Sequence, residues 1–281
     1  MIGLFPTNSW NWKYTNANAP STTPGTSVVP GASDAEGSWT QIASGANIAQ
    51  DVYLLTLWIT GGATSAAIKN HLLDIGIDPA GGTSYTESIA NIICGASDVA
   101  VAGGRWYYFP LFIKAGSSVA VRIKGNNATA GTVRVAAVFY GQPVRPELWR
   151  VGQYSETIGT ITGSAGVSFT PGNSGAESTV WVSLGTTTRA LWFFQLCVGI
   201  TQGTITSLMY HTDLAVGDAT NKHMIIENQP LFIKGTAETL GNPLNVNGYW
   251  EVPAGATLYV RGSCSGTAVT GFHAVAVGIG G

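Results

Sequence analysis

From Ser117 to Lys124 apolar and polar positions alternate, with Val119, Val121 and Ile123 on one side and Ala120, Arg122 and Lys124 on the other. That is the period of a strand with one buried face. The turn residues Gly125-Asn126-Asn127 and Gly131 follow, then a second strand from Thr132 to Tyr140, so the pattern predicts a hairpin. Hydrophobic strands are also predicted over Val52 to Thr60 and Ala190 to Ile200. The latter is the longest apolar run, interrupted by Gln195 and far short of the roughly twenty residues of a membrane helix. Almost nothing reads as helix. Short β-branched and aromatic segments punctuated by Gly, Pro and Asn predict a sandwich or barrel.

The pattern also repeats. Ala115-Gly116-Ser117-Ser118-Val119-Ala120-Val121-Arg122 matches Ala254-Gly255-Ala256-Thr257-Leu258-Tyr259-Val260-Arg261, 139 positions later, and Ala137-Val138 falls on Ala276-Val277. With small gaps, Ile93-Cys94-Gly95 resembles Ile233-Lys234-Gly235 and Trp106-Tyr107 resembles Tyr249-Trp250. Thr23-Pro24-Gly25 and Thr170-Pro171-Gly172 open the copies, each followed by a Trp, Trp39 or Trp181. The identical words Pro110-Leu-Phe-Ile-Lys114 and Pro230-Leu-Phe-Ile-Lys234 lie out of register and are set aside. The chain therefore divides into an N-terminal arm (1–22), a first β-sandwich (23–141), a linker and leading strand (142–169) and a second β-sandwich (170–281). The expected fold is all-β, two tandem jelly-roll-like β-sandwich domains from an internal duplication, with an extended N-terminal arm. Two prolines in Gln142-Pro143-Val144-Arg145-Pro146 predict a stiff connection that fixes the angle between copies. The arm, with Trp10, Trp12 and Tyr14, is expected to dock on the second copy or on a neighbour.

Charge changes the picture most. Only 10% of the residues are charged, 13 Lys plus Arg against 15 Asp plus Glu, while 45% are hydrophobic; an ordinary soluble domain carries roughly 25% charged residues. A net charge of −2 argues against a protein that neutralises nucleic-acid phosphates. Much of the exterior must be Ser, Thr, Asn, Gly and aromatic side chains, the composition of surfaces that face other protein, although a glycan-binding surface leaves a similar trace. Cys94, Cys197 and Cys264 are odd in number and far apart, which excludes a disulfide framework or a paired-cysteine metal site. The N-terminus lacks the basic residue and apolar stretch of a signal peptide. A cytoplasmic origin is expected.

Candidate chemistry is sparse. No phosphate-binding glycine loop occurs. Gly262-Ser263-Cys264-Ser265-Gly266 resembles a nucleophile elbow but has Cys where Ser belongs, and reads as a turn between strands. His211, Asp213 and His223 are considered as metal ligands and set aside for want of a fourth. Asp74 and Asp78, read as loop residues, are the carboxylate pair a glycan hydrolase would need, and turn formation accounts for them better. No catalytic residue, metal site or cofactor is expected. In Arg105-Trp106-Tyr107-Tyr108 successive side chains alternate faces, so at least one aromatic is exposed. Arg122 and Arg261, at equivalent positions, suit pairing with a carboxylate of a neighbouring copy. The candidate interface residues are thus Trp10, Trp12, Tyr14, Arg105, Trp106, Tyr107, Arg122, Tyr249, Trp250 and Arg261.

The phrase Phe109-Pro110-Leu-Phe-Ile-Lys-Ala115-Gly116-Ser117-Ser118-Val-Ala-Val-Arg122 resembles one in virion proteins of tailed double-stranded DNA bacteriophages, where an aromatic-Pro strand precedes an I-P-A-G-S-x-I-x-x-R hairpin. The second copy, Val252-Pro253-Ala254-Gly255, keeps the Pro where the first has Lys114. The resemblance covers the later half of each copy and transfers no functional residue. It implies a non-enzymatic virion structural protein, a capsid decoration or neck or tail accessory. Its partners would be copies of itself and other virion proteins, with neither nucleic acid nor membrane, and its location the virion, after synthesis in a bacterial host cytoplasm. The alternatives are a tail or tail-fibre component binding host carbohydrate, and a glycan hydrolase.

Overall fold

The computed structural model describes residues 10–16, 25–61, 69–96, 105–125, 132–143, 149–159, 166–200, 208–233, 250–267 and 272–281. Among them every regular element is a strand. The first copy contains β1 (Lys13–Thr15), β2 (Thr26–Val28), β3 (Thr40–Ala43), β4 (Leu54–Gly61), β5 (Lys69–Asp78), β6 (Thr86–Ala96), β7 (Arg105–Phe109), β8 (Ser118–Gly125) and β9 (Val133–Tyr140). The second contains β10 (Tyr154–Ile158), β11 (Val167–Phe169), β12 (Val182–Thr186), β13 (Phe193–Ile200), β14 (Leu208–Gly217), β15 (Lys222–Ile233), β16 (Thr257–Cys264) and β17 (Phe272–Gly280).

The first copy forms two antiparallel sheets, β1–β9–β4–β7 with β2 also on β9, and β3–β8–β5–β6. The second repeats them as β10–β17–β13 with β11 on β17, and β12–β16–β14–β15. From β2 to β9 and from β11 to β17, consecutive strands cross between sheets in the jelly-roll manner, except at the β5–β6 and β14–β15 hairpins and from β15 to β16. The predicted β8–β9 hairpin is therefore absent: β8 pairs with β3 and β5, β9 with β1, β2 and β4. Alternation places an apolar face but does not choose the partner strand.

Four strands of the second copy, β13, β14, β16 and β17, begin 139 positions after β4, β5, β8 and β9. The Gly116 turn before β8 and the Gly255 turn before β16 share φ 82°. Other matches shift. Gly25 (φ 83°) packs where an added Cβ would meet the Val135 carbonyl, and its counterpart is Gly166 (φ 87°) against the Ala274 carbonyl. Thr23-Pro24-Gly25 thus does not align with Thr170-Pro171-Gly172; the true pair is Pro30-Gly31 and Pro171-Gly172, whose glycines face Ala35 and Ala176 carbonyls. The bridges Val52–Ile113 and Leu191–Val252 put Trp250 at the place of Leu111, not of Tyr107. Asn91 and Asn228, both at positive φ, make Pro230 rather than Ile233 the counterpart of Ile93.

Residues 10–16 lie on the first copy, not the second. β1 pairs with β9, as β10 does with β17. Trp10 bridges Pro143 and packs its ring 5.2 Å from Tyr140 and 5.1 Å from Trp149.

The sandwiches share a seam. The outer face of β13 and β17, carrying Phe193, Cys197, Val275, Val277 and Ile279, is continuous with the core of the first copy. It lies against the edge strand β6, where Thr157 donates to the Ala90 carbonyl at 2.6 Å and Ser155 to that of Ser88. Burial pushes the Cys94 thiol up, with Cys197 across the seam as the next cause. Packing of one sandwich on the other joins the copies; residues 144–148 of the proline-containing connection lie outside the described residues. On β15, Ile225, Glu227 and Pro230 stand where β6 has Ser88, Ala90 and Ile93.

Candidate interaction surfaces

Asp74 sits on β5 opposite Arg122 of β8, and Asp213 on β14 opposite Arg261 of β16. Each aspartate is 1% exposed, accepts the arginine Nε at 2.9 Å and the backbone N–H of Asn91 or Asn228 at 2.7 Å. Each guanidinium also covers a tryptophan ring, Arg122 at 4.5 Å over Trp39 and Arg261 at 4.4 Å over Trp181. Glu36 and Glu177 approach the same Nε at 3.5 and 3.4 Å. Burial, then the neighbouring aspartate, holds both glutamates above the usual carboxylate range. The first cluster adds Glu87, 2.7 Å from Arg122, and Lys124, 3.2 Å from Glu36. A charged hydrogen bond that is also desolvated orders the segment ahead of β3 or β12 on its sheet.

Both arginines therefore find their carboxylates in their own chain. Asp74 and Asp78 are strand residues, not loop residues, and Asp78 accepts the N–H groups of Ala80 and Ser84. Asp213 is committed to Arg261, with His211 and His223 on the adjacent strands β14 and β15. Cys264 ends β16, buried, with its thiol donating to the Gly266 carbonyl at 3.0 Å. The equal spacing of Asp74 to Arg122 and Asp213 to Arg261 was the sequence signal for these units.

The open surface lies elsewhere. Trp106 on edge strand β7 is 46% exposed and stacks at 6.1 Å, 25° between planes, on Trp58 of β4 directly opposite. Tyr108 adds a third ring 6.5 Å from Trp106. Burial, and after it the nearby Tyr140, raises the Tyr108 phenol. This row covers the outer face of the first sheet, the face whose counterpart on β13 and β17 is buried in the seam. Tyr107 points the other way, fully buried, and donates to the Ile93 carbonyl at 3.0 Å, so it is no surface residue. Trp10, Trp12 and Tyr14 pack on the first copy; Trp250 is 49% exposed. Tyr249 and the side chain of Arg105 lie outside the described residues. In the sequence Trp58 and Tyr108 stand among the aromatics that could form a carbohydrate platform but not among the interface candidates, because only the β4–β7 register makes Trp58 a neighbour of Trp106.

A cleft of about 660 Å³ opens where the sandwiches meet. Among the described residues no group of three or more His, Cys, Asp or Glu is arranged to hold a metal, and no helix is long and apolar enough to cross a membrane.

No family model and no curated protein matches the chain. Among solved structures it is similar to the Cowpea mosaic virus top component, a naturally occurring empty particle, at 11% identity and TM-score 0.33 over 93% of each chain. It is also similar to a peptide-N(4)-(N-acetyl-beta-D-glucosaminyl) asparagine amidase, at 11% identity and TM-score 0.34 over 95% of this chain and 96% of that one. A tandem CBM22 domain of Paenibacillus barcinonensis Xyn10C follows at 10% identity and TM-score 0.28, over 98% and 94%. These likenesses are slight, and the jelly-roll assignment stands on the strand order itself.

Proposed function

We propose that the chain is a non-enzymatic structural component of a virus particle, a capsid decoration or accessory protein of a tailed bacteriophage, that assembles with copies of itself and with other virion proteins. The observation that carries this reading is the open row Trp58, Trp106 and Tyr108. Stacked aromatics on a charge-poor sheet face have the composition of an interface core, and the corresponding face of the second copy is already used for contact between protein layers. The repeated phrase resembling phage virion proteins supplies the setting. The carboxylates proposed for hydrolysis, Asp74 and Asp78, are committed to an arginine and to a turn, which favours scaffolding over catalysis.

The test is sedimentation of the purified chain, alone and with isolated capsids, necks and tails. Self-association or particle binding is expected, weakened about thirtyfold or more in Trp106→Ala, the loss that defines an interface hot spot. A monomer that binds none of them overturns the reading. Retention on host polysaccharide, abolished by the same substitution, would assign the row to carbohydrate instead.

A further inference from the structure

The cleft between the sandwiches has features that assembly through the aromatic row does not use. One wall comes from the first copy, with Phe112, Lys114, Ser117 and Glu87, and the other from the second, with Tyr154, Glu156 and Arg189. Its volume of about 660 Å³ lies within the range of small-molecule sites. The lining carries two carboxylates, Glu87 (paired on its own sheet with Arg122) and Glu156, and two cations, Lys114 and Arg189, so it favours no net charge. Neither a polyanion nor an apolar ligand suits it, because the first meets Glu87 and Glu156 and the second desolvates the two cations without a partner.

Ser117 gives the independent sign of a ligand. It is 1% exposed, lines the cleft, and its hydroxyl has no hydrogen-bond partner, whereas buried hydroxyls are nearly always paired. The fold does not demand that hydroxyl, since the counterpart in the second copy is Ala256. The acceptor opposite is held in place: Glu156 takes the backbone N–H of Thr188 at 2.8 Å and that of Arg189 at 3.3 Å. Arg189 lies 4.9 Å over the Tyr154 ring. Phe112 on one wall and Tyr154 on the other bring an aromatic ring to each side of the cleft.

We infer that this cleft binds a neutral, hydroxyl-rich oligosaccharide. A pyranose has C–H faces that rest on aromatic rings and hydroxyls that both donate to carboxylates and accept from Ser, Lys and Arg. An extended peptide would need a free strand edge for its main chain, and the nearby β6 edge already accepts Ser155 and Thr157. The site stands apart from the aromatic row, so either can fail alone.

The test is isothermal titration calorimetry of the full chain with neutral hexasaccharides of glucose, mannose, xylose and N-acetylglucosamine, and with a polyuronate. At least one neutral sugar is expected to bind. The Lys114→Ala/Arg189→Ala double variant should weaken it about tenfold or more, with circular dichroism and melting unchanged. Ser117→Ala should weaken it several-fold, and Trp106→Ala not at all. Heat from none of the neutral sugars overturns the inference. So does binding of the polyuronate alone, or binding that survives the cleft variants and disappears with Trp106→Ala.

Discussion

Among the described residues, the sheet β10–β17–β13 of the second sandwich is covered on both faces, and its counterpart in the first on only one. The residues show the difference position by position. β13 presents Cys197 to the seam where β4 presents Trp58, and β17 presents Val275 and Val277 where β9 has Ala136 and Val138. β13 reads as an apolar run except for Gln195, whereas β9 alternates buried and half-buried positions except at Ala136. A strand buried on both faces loses its period of two. Of two equivalent faces, one is flat and receives an edge strand, and the other presents large rings.

The largest expected effect concerns what the copies still share. Asp213→Asn removes the aspartate paired with Arg261 and should cost about 3 kcal/mol in urea denaturation, in the range for breaking a buried ion pair. Asp74→Asn should cost about 1 kcal/mol less, because Glu87 remains 2.7 Å from Arg122. Equal losses would mean that Glu87 adds nothing and that the clusters are energetically identical.

Exchanging the residues that differ tests the faces directly. Cys197→Trp forces a large ring into the closed seam and should destabilise by about 2–3 kcal/mol through overpacking. The reverse change, Trp58→Cys, forfeits one ring contact and should cost about 1 kcal/mol. Similar costs in both directions would show that the outer face of the first sheet is as closed as the seam.

The smallest effect is one of sign. Burial raises Glu177 above its ordinary value of 4.5, so the folded chain holds that proton more tightly than the unfolded one. The associated stability is present below pH 4.5 and is lost as pH rises through the folded value. Glu177→Gln, which cannot ionise, should therefore gain a few tenths of a kcal/mol at pH 7 and nothing at pH 4. A loss at pH 7 would mean that the attraction of Arg261 outweighs burial.

Much of the architecture was legible before any coordinates. Alternation over Ser117 to Lys124 and its echo 139 positions later identified tandem β-sandwiches. The arginines were correctly placed as equivalents, but their partners were sought outside the chain, because Asp74 was read as a loop residue beside Gly76. In fact Gly76 lies within β5, where an added Cβ would collide with the Trp39 ring. The seam was visible only as an apolar run without alternation, and the cleft not at all, because its walls come from segments far apart in sequence.

The edges of β6 and β15 differ in what they can receive. That of β6 could be covered because small Ala90 and Ser88 let a neighbouring sheet approach their carbonyls. At the corresponding places on β15 stand Glu227 and Ile225, with Pro230 in place of Ile93. A third module stacked in the same way would have to strip water from a carboxylate and lie against a proline. The chain thus carries its own terminus for lateral growth, and any larger array must extend along a different direction.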